Sequence, residues 1–201
     1  MTDKNKDTKP AEAQEKPLDE IVVELSRPYK TKIGDDEIEL TELRFRQPIG
    51  NDLKNIESIK GDYERAFKLL ARISEDKLSS LDFENLPGRD VNSCTTAVYK
   101  ATQEENATSH CTTKDCSTTI SLTHDFKLRD GRVLRSLNLR EPTGRDLKRM
   151  DSKNGEYSKL FELLPAICVD QISASDLGRM HGKDVNICNL CVGEVVSPNG
   201  A

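Results

Sequence analysis

The sequence predicts an α+β protein made of two tandem copies of one small domain, each a β-hairpin followed by three to four helices. Three observations carry this. From Leu43 to Lys100 every residue has a counterpart 94 positions further on, ending at Glu194, with no gap. Ahead of each matched stretch, apolar residues alternate with less apolar ones, as in a half-buried strand. Within it, apolar residues recur at the spacing of one helix face.

The register of the repeat is anchored at Pro48, Gly50, Asp52 and Leu53 against Pro142, Gly144, Asp146 and Leu147, and at Gly61, Tyr63 and Phe67 against Gly155, Tyr157 and Phe161. It holds again at Gly88, Asp90, Val91, Asn92 and Cys94 against Gly182, Asp184, Val185, Asn186 and Cys188. A period this long marks a duplicated domain, since solenoid repeats run to roughly 50 residues at most. The expected division is a disordered tail over 1–20, a first unit over 21–101, a linker over 102–118, a second unit over 119–196 and a short tail over 197–201. Units of about 75–80 residues bury modest cores and gain from packing against a neighbour.

The elements follow in order. Residues 1–20 are charged, punctuated by proline and too poor in apolar groups to offset the entropy of ordering. Ile21, Val23 and Leu25, a turn over Gly34–Glu37, and Ile38, Leu40, Leu43 and Phe45 then make a hairpin. The second copy repeats it with Ile120 and Leu122, a turn over Arg129–Gly131, and Val133, Leu134, Leu137 and Leu139, three residues shorter at the turn. Loop tips tolerate such a change. Pro48 and Pro142 stop the strands, and Asp52 and Asp146 start a short helix that Gly61 and Gly155 are expected to end.

A longer amphipathic helix follows. Its core face is Tyr63, Phe67, Leu70 and Ile73, then Tyr157, Leu160, Phe161, Leu164 and Ile167. Pro165 stands where the first copy has Ala71, and predicts a kink or an early end. A short helical turn near 78–86 or 172–180 leads to a closing helix over about 90–101 or 184–195. Between the units, Thr102–Thr118 is rich in Thr, Ser, Asn and Lys and is expected to be exposed.

Composition narrows the function. A formal charge of −5, 35% hydrophobic residues, 4% aromatics and no tryptophan describe a well-solvated chain without the basic surplus of a nucleic-acid binder. No apolar run approaches a signal peptide or membrane span, so neither nucleic acid nor membrane is an expected partner, and the six cysteines are expected to stay reduced in the cytoplasm. One asymmetry stands out: residues 33–59 carry seven acidic and three basic side chains, and the matched 127–153 carry nine basic and four acidic. Either these are two solvated faces that drifted, or the acidic face of one copy meets the basic face of the other, within the chain or between chains.

No catalytic constellation accompanies the repeat, and no catalytic, cofactor or metal residue is assigned. His110, His124 and His181 lie apart with no nucleophile–base–acid set. Cys188 and Cys191, with Cys111, Cys116 and His110, have the ligand types for zinc. The repeat speaks against it, because Cys94 matches Cys188 while Ala97 stands where Cys191 does. A position that is Cys in both copies on an apolar helix face reads as small core, and Cys111 and Cys116 as exposed linker thiols.

In both copies a strand ends in L-x-[FL]-R-x-P-x-G-x-D-L, at Leu43–Leu53 and Leu137–Leu147. There follow G-x-Y with an F-x-L-L run, a short acidic turn segment, and a closing helix after G-x-D. This order resembles the phage tail assembly chaperone family, present here as two tandem copies. The resemblance implies a non-enzymatic protein that binds the tape measure protein, helps recruit tail tube subunits during tail morphogenesis, works in the host cytoplasm and is missing from the mature virion. A homo-oligomer is compatible with it; the partner-binding residues remain unknown. The other readings are a structural, tail-associated adaptor of the virion and a zinc-binding regulatory module.

Overall fold

The computed structural model describes residues 20–34, 36–104, 107–114 and 116–196. The tail expected over residues 1–20, apart from Glu20, and the one over 197–201 lie outside the described residues. The first unit is a hairpin, β1 (Ile21–Ile33) antiparallel to β2 (Asp36–Phe45), followed by α1 (Gly50–Ile56), α2 (Asp62–Ile73), α3 (Ser80–Asn85) and α4 (Gly88–Thr102). The second has a three-stranded sheet in the order β3 (Cys111–Lys114), β4 (Ser117–Lys127), β5 (Val133–Arg140), then α5 (Gly144–Asp151), α6 (Glu156–Ile167), α7 (Ala174–Leu177) and α8 (Gly182–Val196). The α+β class and the tandem duplication are as the sequence predicts.

The repeat extends to backbone irregularities. Both hairpins shift register at matched places, between Glu24 and Tyr29 and between Ser121 and Phe126. Such a bulge twists a strand and re-aims what lies beside it. Here it brings Ser26 N–H (3.0 Å) and Oγ (2.9 Å) onto the Asp90 carboxylate in the first turn of α4. In the second unit Thr123 N–H (2.6 Å) and Oγ1 (2.8 Å) reach Asp184 in α8. Each buried aspartate thus ties the closing helix to the hairpin. Ser79 and Ser173 each cap a short helix in a reciprocal capping box, with Asp82 and Asp176.

A pair of arginine clamps holds the turn after each hairpin. Arg46 Nη1 reaches Asp52 Oδ2 at 2.7 Å, and Arg140 Nη1 reaches Asp146 Oδ2 at 2.8 Å. Each guanidinium also donates to carbonyls on both sides, Gln47 and Arg72 in one unit, Glu141 and Ala166 in the other. In the first unit Arg72 Nε adds a second contact to Asp52 at 2.6 Å. Burial raises the Asp52 pKa, but the hydrogen bonds from Arg46, Ile49 N–H and Arg72 outweigh it and hold the carboxyl below its usual range. The guanidinium of Arg140 holds Asp146 well below that range.

Several local expectations change. Gly61 and Gly155 do not end the short helix: they are the N-caps of α2 and α6, at φ 90° and 95°, a backbone that glycine adopts without steric cost. Pro165 does not shorten α6, which stops at Ile167 as α2 stops at the matched Ile73. In the last turn, proline removes only its own bond to the Phe161 carbonyl. Tyr63 is 65% exposed and Phe67 half-buried, so only Leu70 and Ile73 of the expected α2 face are fully buried. Residues 102–118 are more than an exposed linker: a 3₁₀ turn at Ala107–His110 leads into β3, which adds to the free edge of β4.

Candidate partner surface at the junction of the units

The two cores are not confined to their own units. The first comprises the expected hairpin and helix residues, among them Leu43, Phe45, Leu70, Ile73 and Cys94, and adds Phe83 from α3. The second includes Leu53, which belongs to α1 of the first unit and is 5% exposed. Leu53 crosses over because the Pro48–Asp52 turn, braced by Arg46, presents α1 to the second unit.

Backbone bonds zip this turn onto the α7–α8 junction: Gly50 N–H to Met180 C=O (2.9 Å), Asn51 N–H to Gly178 C=O (2.9 Å) and Gly182 N–H to Pro48 C=O (2.7 Å). Glu57, at the end of α1, accepts from Tyr157 N–H (2.6 Å), Ser158 N–H (3.1 Å) and Ser158 Oγ (2.8 Å). A carboxylate at the N-terminus of α6 takes up donors that no helical carbonyl can reach. Lys54 Nζ stands 4.8 Å from the Phe161 ring centroid. Asn186 Nδ2 closes the seam by donating to the Thr102 carbonyl at 2.8 Å.

Beside the seam a cleft of about 180 Å³ opens between the units, lined by Leu53, Ala66, Leu69, Val98, Tyr99 and Tyr157. Thr102, Gln103 and Asn186 supply its polar edge. The Tyr157 hydroxyl donates to Asn186 Oδ1 at 2.8 Å, and burial together with the nearby Glu156 and Glu57 carboxylates pushes its pKa up to about 12. Tyr99 is 62% exposed, so the rim offers aromatic surface to solvent. An apolar cleft with a few amide and hydroxyl groups suits a side chain projecting from a helix face.

A family model described as "Phage tail assembly chaperone proteins, E, or 41 or 14" matches the chain twice, over residues 22–102 and 119–197. The chain belongs to this family of phage tail assembly chaperones. No curated protein and no solved structure gave a match.

The polar side chains of this chaperone that sequence reasoning weighed for chemistry resolve as follows. Cys94 and Cys188 are fully buried in the two cores, and burial raises both thiols, that of Cys94 to about 12. Cys191 is buried too and contacts Cys111, which is half-buried on β3, contrary to the exposed thiol expected there. Cys116 is exposed. His110 Nδ1 bonds the Ser121 carbonyl at 2.9 Å, and among the described residues no three members of the zinc set suggested by spacing come together.

A different cluster, missed in the sequence, joins His124, His181 and Asp184. Its imidazoles stack with centroids 3.7 Å apart and planes 20° apart, so their in-plane lone pairs run side by side and do not converge on one ion. Asp184 Oδ1 takes both Thr123 donors and its Oδ2 bonds His124 Nδ1 at 3.0 Å, whereas Asp90 holds Ser26 through both oxygens without any histidine.

Nor, within the chain, does the acidic stretch of one copy meet the basic stretch of the other. Among the described residues no ion pair joins 33–59 to 127–153. The reason is the docking geometry: α1 lies on α6–α8, while α5 packs on α6 of its own unit with Arg145, Lys148 and Arg149 exposed. No helix among the described residues is long and apolar enough to cross a membrane.

Proposed function

We propose that this chaperone holds the elongated, largely helical tape measure protein and helps bring tail tube subunits to it during tail assembly in the host cytoplasm. The observation that carries the reading is the double family match over both units. The cleft between the units supports it, being apolar at the base, rimmed by Tyr99 and Gln103, and of a size for one or two apolar side chains of an amphipathic helix. Two units on one chain raise the effective concentration of each along a long partner. Membership of the family supports a reaction-free role.

Co-expression of the tape measure protein with the chaperone tests this. The expected result is a larger soluble tape measure fraction that co-purifies with the chaperone, and a smaller one when Tyr99→Asp or Leu69→Asp places a charge in the cleft. If neither the tape measure nor the tube protein gains solubility or co-purifies, the proposal fails. Mass spectrometry of finished particles addresses the adaptor reading: a chaperone is absent, whereas a stoichiometric peptide signal assigns the chain to the virion.

A further inference from the structure

The two sheets differ by one strand. β3 covers the outer edge of β4, and among the described residues the same edge of β1 has no strand beside it. Ahead of the hairpin turns the copies match at a spacing of 97, as Ser26 does Thr123, so Ile21 and Val23 stand where Thr118 and Ile120 do. An edge strand leaves every second N–H and C=O without a sheet partner. The helix beneath differs in the same way. Ile187 and Cys191 on α8 are buried under the Ala107–His110 turn and β3, whereas their counterparts on α4, Ser93 and Ala97, are exposed and half-buried. An open trough of about 650 Å³ runs along this face of α4, bounded by Arg89 and Lys100.

What fills this place in the second unit shows what the place accepts. The segment enters along α8, where Lys183 Nζ meets Glu104 Oε2 at 2.7 Å, and then runs antiparallel to β4 with Cys111 opposite Ile120 and in contact with Cys191. Arg89 holds the position of Lys183, is exposed and has no ion pair among the described residues. Ser93 and Ala97 are smaller than Ile187 and Cys191, so the room opposite Val23 is larger than the room that Cys111 fills. The face therefore suits a segment that carries a carboxylate seven residues ahead of a bulky apolar side chain, the spacing of Glu104 and Cys111.

The sequence ahead of β1 does not supply that segment. By the same match Glu104, Cys111 and Thr113 correspond to Asp7, Gln14 and Lys16. A carboxylate is present, but both positions that alternation turns toward the helix are polar. Burying an unpaired amide or ammonium is costly, and Pro17, in place of Lys114, has no N–H to give. The fit calls for another polypeptide. α4 turns Val98 and Tyr99 to the cleft between the units and Ser93 and Ala97 to the trough, so this surface is separate from the one read above as holding a tape measure helix.

We propose that the first unit accepts an extended segment of a partner protein, which adds as a third strand to the Ile21–Val23 edge of β1, sets a carboxylate on Arg89 and lays a bulky apolar side chain over Ser93 and Ala97. The probe is a fluorescent synthetic peptide of residues 104–114 carrying Cys111→Leu, titrated into the full chain and read by anisotropy and by amide hydrogen exchange. Saturable binding with new protection over residues 21–24 is expected. Arg89→Glu should weaken the peptide roughly fivefold, and a peptide with Glu104→Lys should recover the loss. The native peptide, with Cys111, should bind less well than the leucine one. Ser93→Ile, which restores the bulk of the second unit, should reverse that order. Both protein variants change exposed positions of α4 and should keep the melting temperature. Tyr99→Asp, on the cleft side, should leave the peptide unaffected, so this test and that of the chaperone reading fail separately. Absence of binding, or binding indifferent to Arg89→Glu and Ser93→Ile, overturns the proposal. So does full protection of residues 21–24 in the free protein, which assigns the edge to the chain's own tail or, where protection grows with concentration, to a second copy.

Discussion

Gly50 approaches Leu177 so closely that a β-carbon on the first would overlap the carbonyl oxygen of the second. The two units are therefore joined backbone to backbone at the start of α1. Gly50→Ala should force that seam apart and cost about 1–3 kcal/mol, the scale of overpacking a tight contact. Gly144→Ala, at the matched place with nothing within 4 Å, should leave the stability of the monomer unchanged or slightly higher. Urea denaturation of the two variants side by side checks the difference.

Leu53 is supplied by the first unit and buried in the core of the second. Leu53→Ala should lose about 2–5 kcal/mol, as large-to-small core changes do. Amide hydrogen exchange should rise in α6 and α8, which lie in the other unit, more than in the β1–β2 hairpin.

The clamps make an internal comparison. Asp52 accepts from both Arg46 and Arg72 and is 1% exposed, whereas among the described residues Asp146 accepts from one arginine, Arg140. Asp52→Asn should cost about 1–3 kcal/mol, scaled down from a fully buried pair because both arginines reach solvent. Asp146→Asn should cost less. Thermal unfolding of the two variants measures the order.

Acid should unfold the protein through its aspartates. Asp52, Asp82, Asp146 and Asp176 all have lowered pKa values. At Asp176 burial pulls upward, but the Ser173 and Arg179 hydrogen bonds win and leave it at about 2. A carboxyl depressed on folding lends stability above its unfolded value of about 3.9 and loses it as pH falls through the folded one. Stability should be flat from neutral pH down to about 4 and fall steeply toward 2, read from urea midpoints at stepped pH.

Thiol reactivity should sort the six cysteines. Burial holds Cys94 at about 12 and Cys168 at about 11, and keeps Cys188 protonated. Only exposed Cys116 should react quickly with a thiol reagent at neutral pH, half-buried Cys111 more slowly, and the buried four only in denaturant. A fast second equivalent in the native state contradicts this.

Much of the fold was legible in one sequence because it is written twice. The hairpins, the helix order and the buried Cys94 and Cys188 follow from periodicity and from residues retained at matched places. Glycines that look alike were harder to read: Gly61 and Gly155 start helices where they were expected to end them, since a positive φ serves either end of a helix. The strand β3 left no signal, because Cys111–Lys114 is polar and without alternation; its conformation comes from the edge of β4.

By itself the sequence determined the duplicated unit, the order of its elements and its family, because these rest on local spacing and on turn, cap and core residues that act within a few positions. Which copy's α1-type helix would dock, where Leu53 would be buried, and that Gly50 would be covered while Gly144 stayed open were decided only in the tertiary structure. Matched residues carry the same local instructions, so the choice between them falls to which faces two folded bodies bring together, and packing across space is not encoded in the spacing along one chain.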